Sequence, residues 1–117
     1  MQRILAVGLS GLMLWLGLAC AVAAEPKIGV VMMHGKWGNP GQLSGFSSSM
    51  ERSGYLTENI EMPWSGRRAY DAGAEGFVAE IDAAIQALKD KGATKIVLIG
   101  HSLGGLVTRA MLAQHPE

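Results

Sequence analysis

The sequence is nearly without cysteine, has no excess of charge of either sign, and carries no internal repeat, low-complexity tract or metal-ligand spacing. Cys20 is its single cysteine among 117 residues, and it falls inside an N-terminal apolar stretch. The rest of the chain therefore has no disulfide framework. Lysine and arginine number 10, as do aspartate and glutamate, a balance that offers no electrostatic footprint for nucleic acid or another highly charged partner. Met32 and Met33 read as adaptable core filler rather than ligands.

What is present begins with that apolar stretch. Met1-Gln2-Arg3 supplies one positive charge, residues 4–24 are uncharged and largely apolar, and charge returns at Glu25 and Lys27. A basic start, an apolar centre and a small-residue exit at Ala21-Val22-Ala23 or Val22-Ala23-Ala24 mark a secretory signal peptide. Residues 1–24 are accordingly expected to be a cleaved signal and residues 25–117 the folded part, exported to the periplasm or the medium. The run is long enough to span a bilayer if uncut, and Gly17-Leu18-Ala19-Cys20 partly resembles a lipoprotein box. Membrane association is expected only if the segment is retained or Cys20 is lipidated. Cleavage leaves about 90 of the 117 residues. A secreted domain that small, without disulfides or a metal, is short of stabilising cross-links. That favours a piece of a longer protein.

Lys27–Met33 (KIGVVMM) reads as a buried strand, followed by His34-Gly35 and a loop carrying Gly38, Asn39, Pro40 and Gly41. Leu43–Ser53 is a weak helix closed by Gly54, Tyr55–Met62 holds a second strand stopped by Pro63, and Trp64–Gly73 reads as a polar loop. Phe77, Ile81, Ile85 and Leu88 form one stripe of a helix over Ala74–Lys91, capped by Gly92. Lys95–Ile99 (KIVLI) is a continuous apolar strand, expected to be buried on both faces, and Leu103–Gln114 a helix. Alternating strands and helices indicate a parallel sheet with crossover helices.

Gly100-His101-Ser102-Leu103-Gly104 joins the last strand to the last helix. As a bare G-x-S-x-G pattern it is a weak signal. A strand directly before and a helix directly after are what the nucleophile elbow demands. In so tight a turn, the positions two before and two after the serine have room for little more than hydrogen. Gly100 and Gly104 occupy them, and Gly105 relaxes the packing further. Ser102 would stand at a helix N-terminus, where unpaired N–H groups carry partial positive charge, and the Leu103 N–H could stabilise an oxyanion. The bland reading is a glycine-rich turn with serine as its N-cap.

On these residues the chain resembles the lipase- and esterase-like α/β hydrolases over the length that follows the signal. The resemblance implies an α/β fold with a doubly wound, mostly parallel sheet, truncated after the nucleophile-elbow helix, and a strand order of second, first, third. It implies a second oxyanion donor just past His34-Gly35, the backbone N–H of Lys36, with Trp37 near the acyl pocket. Trp37 and His101 are the candidate substrate contacts, although the elbow should aim the His101 side chain away from the serine hydroxyl. No cofactor is implied. The implied reaction is hydrolysis of an ester or related acyl bond, in a small molecule or lipid, through an acyl-Ser102 intermediate. Lipase, carboxylesterase, thioesterase and amidase all remain open.

The base is missing. In this fold the acid and then the histidine follow the serine. His115 is the only histidine after Ser102, and along a helix it lies about 20 Å away at 1.5 Å per residue. His34 is expected to shape its loop. Asp71, Asp82 and Asp90 have no route to the site, and Arg67-Arg68-Ala69-Tyr70-Asp71 reads as solvated loop rather than a grip on an acidic substrate. The triad partners are expected beyond Glu117, and Lys95–Ile99 is expected to have one apolar edge uncovered. The alternatives are a catalytically inactive fragment, a binding module retaining the hydrolase scaffold, or a membrane-anchored interaction protein.

Overall fold

A computed structural model describes residues 24–68 and 74–116. The signal-peptide reading, Cys20 and Asp71 lie outside them, apart from Ala24. Strand β1 spans Ile28–Met33, α1 Ser44–Arg52, β2 Leu56–Ile60, α2 Ala74–Asp90, β3 Lys95–Gly100 and α3 Leu103–Gln114. The sheet is parallel with order β2-β1-β3, the order that the resemblance implies.

Strand β1 is central, which is why its sequence is apolar without alternation: Val30, Val31, Met32 and Met33 are all buried. The register pairs Gly29 with both Leu56 and Ile96, and Val31 with Leu98. Side chains alternate along a strand, so Val31, Met33, Leu56, Ile60, Ile96 and Leu98 share one face. With Ile81, Ala84 and Leu88 of α2 and Val107 and Met111 of α3 they form the core. Leu88 packs against Gly29, where an added Cβ would lie 3.0 Å from it. Helix α1 lies on the opposite face, where the Ser47 hydroxyl donates to Thr57 Oγ1 at 3.3 Å. Helices on both faces make the sheet doubly wound.

The helix stripe is real. Ile81 and Leu88 are fully buried, with Phe77 and Ile85 packed partly buried beside them. Gly92 takes a positive φ of 102° and Gly54 one of 91°, the left-handed conformation that favours glycine past a helix end. The first helix is shorter than expected, because Pro40–Leu43 forms a separate 3-10 turn capped by Asn39, whose side chain accepts from the Gly41 N–H.

Two expectations fail. Strand β3 is not buried on both faces: Lys95 and Val97 are exposed. Among the described residues β3 pairs only with β1, and no helix covers the Val97 side of it. Periodicity reports that a strand is apolar and says nothing of what lies on it. An open groove of about 560 Å³ also runs along β3, between α2 and α3, lined by Ile85, Ile96, Leu98, Met111 and Leu112. Residues 64–68 are not simply a polar loop either. Trp64 is the largest fully buried side chain, with Met62, Pro63 and Ser65 buried around it.

That turn is fastened by charge. Arg67 Nε donates to Glu61 Oε1 at 2.6 Å, and the Ser65 hydroxyl donates to the same oxygen at 3.1 Å. Arg68 Nη1 reaches the Glu61 carbonyl and pairs with Glu80 of α2 at 2.7 Å. Both arginines are thus engaged inside the chain. Desolvation raises the Glu61 pKa, but hydrogen bonds from Arg67 and Ser65 and the charges of Arg67 and Arg68 outweigh it and hold it below the ordinary 4.5. A carboxylate with a depressed pKa stabilises the fold fully above its unfolded value, and that contribution is lost as pH falls through the folded value. Amide exchange in residues 61–68, once corrected for intrinsic rate, is expected to quicken below about pH 4.5 before that of β1 does.

Candidate active site

The C-terminal ends of β1 and β3 lie side by side, and the two loops leaving them meet. The His101 N–H donates to the Met33 carbonyl at 3.0 Å. Gly35 sits so close to the elbow that an added Cβ would come within 3.0 Å of His101 Nδ1 and 3.3 Å of Ser102 Cβ. A side chain at position 35 would separate the loops, so this close approach is what its glycine serves.

Ser102 takes φ 55° and ψ −117°, a backbone conformation that costs a non-glycine residue about 1–3 kcal/mol. An N-cap serine would instead be extended and would accept from an N–H of the first turn. Ser102 makes no side-chain capping bond, so the bland reading of the motif fails. The turn is closed by backbone bonds instead, Gly104 N–H to the His101 carbonyl at 3.0 Å and Gly105 N–H to the Ser102 carbonyl at 2.9 Å. Ser102 is left exposed.

In the facing loop, the Trp37 N–H donates to the Trp64 carbonyl at 3.2 Å and the Gly38 N–H to the Gly35 carbonyl at 3.0 Å. Just before them, the Lys36 N–H donates to nothing among the described residues, and the same holds for the Leu103 N–H at the start of α3. Trp37 itself has a positive φ of 59° and a side chain left largely exposed, at 59%.

Residues 25–117 match the family model described as "Putative serine esterase (DUF676)". The chain belongs to that family. Among solved structures, this member of the serine esterase family is similar to an extracellular α/β-hydrolase from a Paenibacillus species, itself described as sharing structural and functional homology with tobacco salicylic acid binding protein 2. The TM-score is 0.58 at 22% identity, over 76% of this chain and 36% of that one. At that identity the likeness establishes the α/β-hydrolase fold. This esterase-family chain spans about a third of the neighbour's length. No curated protein matches it.

Two of the histidines, His34 and His115, fall where the sequence suggests. His34 is fully buried. Its Nε2 accepts from the Met62 N–H at 3.0 Å and its Nδ1 donates to the Gly35 carbonyl at 2.9 Å, so both ring nitrogens are committed to the loop. His115 lies at the far end of α3, 3.8 Å from Asp82 of α2. His101 rests against Gly35. The residue that sequence reasoning missed is Trp64. The apolar triplet Met62-Pro63-Trp64, one residue past the end of β2, was the available signal.

Proposed function

We propose that Ser102 is the nucleophile of an esterase reaction: its oxygen attacks the carbonyl of an ester or related acyl bond. The alcohol or other leaving group departs with the proton to leave an acyl-serine, and water then cleaves that to the free acid and restores the hydroxyl. The backbone N–H groups of Lys36 and Leu103 hold the oxyanion that develops. The observation that carries this is the exposed Ser102 held at φ 55° with no capping role, beside a loop whose Lys36 N–H has no partner among the described residues. Donors fixed before the reaction need no reorganisation when charge appears on the carbonyl oxygen. Trp37 and His101 border the acyl group, and no cofactor enters the step. None of the described histidines hydrogen bonds to Ser102, and the reading takes the base and its acid partner to follow the serine in the family's chain order. Residues 25–117 are then the N-terminal part of the hydrolase domain and residues 1–24 an export signal, a reading in keeping with the extracellular neighbour.

The test is labelling with a fluorophosphonate, which reacts with an activated serine, on the protein isolated from its own cells. The label is expected on the peptide containing Ser102 and is expected to vanish in Ser102→Ala. A folded wild-type protein that takes no label would sink the proposal and favour a non-catalytic binding module.

A further inference from the structure

The Gly35 carbonyl is unusually well held. It accepts from the Gly38 N–H at 3.0 Å, from His34 Nδ1 at 2.9 Å and from Trp64 Nε1 at 3.1 Å. The indole shares its hydrogen with the His34 carbonyl, also at 3.1 Å. The Gly35 carbonyl belongs to the same peptide unit as the Lys36 N–H. A peptide is planar and trans, so its C=O and N–H point in opposite directions. Fixing the Gly35 oxygen therefore fixes the line along which Lys36 donates.

We propose that Trp64 is the positioning residue of the oxyanion loop, which deepens the esterase reading and rests on Lys36 being an oxyanion donor. It grips the loop twice. Its indole N–H holds the Gly35 carbonyl on one side of the Lys36 amide, and its own carbonyl holds the Trp37 N–H on the other. The ring cannot swing away: it is fully buried and stands edge-on to Phe77 of α2 at 5.2 Å and to His34 at 6.1 Å. Glu61, Arg67 and Arg68 then tie the turn that carries Trp64 to α2. Donors on a carbonyl also polarise its peptide and strengthen the opposite N–H. Trp64 touches neither substrate nor serine in this account. It acts through the Gly35–Lys36 peptide.

Trp64→Phe in the native protein keeps most of the ring and deletes one N–H. Where that variant fails to fold, 3-benzothienylalanine at position 64 keeps the bicyclic shape and still lacks the donor. Two readouts separate positioning from packing. The residual dipolar coupling of the Lys36 N–H reports the orientation of the peptide plane without any turnover and is expected to change. The kcat for ester hydrolysis is expected to fall about tenfold with KM nearly constant, a part of the 10²–10³ that losing a whole oxyanion donor costs. An unchanged coupling overturns the positioning role whatever the rate does. A changed coupling with unchanged kcat overturns its link to catalysis. A wild-type protein that hydrolyses no ester overturns the esterase reading and the catalytic link with it, and the coupling still decides whether Trp64 sets the peptide plane.

Discussion

Ser102→Gly is expected to be more stable than the wild type and to have lost its activity. At φ 55° and ψ −117° a serine carries a backbone strain of about 1–3 kcal/mol, which glycine relieves. Glycine also loses more chain entropy on folding, by roughly 0.5–1 kcal/mol, so a net gain of about 1 kcal/mol remains, read as a rise of a few degrees in Tm. Deleting the nucleophile lowers ester turnover by on the order of 10⁶-fold where serine hydrolases have been dissected. Ser102→Ala separates the two effects. It is equally inactive but retains a Cβ at positive φ, so its melting temperature should stay near that of the wild type. A glycine variant that melts below the alanine variant, by the roughly 0.5–1 kcal/mol that its chain entropy costs, would mean that the elbow stores no strain.

Gly104→Ala is expected to cost about 3 kcal/mol or more, the upper range for inserting volume into a packed site. An added Cβ would lie 2.4 Å from the Met33 carbonyl oxygen and 3.0 Å from that of His34. Those are backbone atoms at the end of the central strand, and the Met33 oxygen is already bonded to the His101 N–H. The clash cannot be relieved by a rotamer change, so α3 must move off β1 and the elbow opens. Gly105→Ala is the control. There the nearest contact for an added Cβ is 3.4 Å, and alanine is the better helix former by nearly 1 kcal/mol. Denaturant titration of the pair should give shifts of opposite sign.

The contrast between neighbouring glycines also indicates what a sequence discloses. Strands β1 and β3, the stripe of α2 and the elbow were all legible, because each is written in residues adjacent in the chain. A continuous apolar run or a fixed spacing of glycines needs no knowledge of distant partners. Trp64 was harder to read for the opposite reason, with one short apolar triplet as its only local sign. Its neighbours Pro63, Gly66, Arg67 and Arg68 spell out a polar turn, and its burial depends on His34 and Phe77, which approach only in the folded chain. The exposure of Val97 was hidden in the same way, since composition cannot report what packs on a strand. The placing of Lys36 and the strand order came from family resemblance rather than from residue pattern. The fold bears the order out.

That order has a consequence for how the molecule is made. Among the described strands the central one is made first, and one of its neighbours in the sheet third. Lys27 and Thr94, whose hydrogen bond opens the β1–β3 pairing, are 67 residues apart. Closing so long a loop costs entropy before any pairing rewards it. Until β3 is made, β1 has one finished neighbour, and the Met33 carbonyl, which anchors the elbow, lacks its partner. The strained turn at Ser102 therefore closes only after the strand that carries its anchor has been made, and a nascent chain that stops short of β3 holds no such turn to expose.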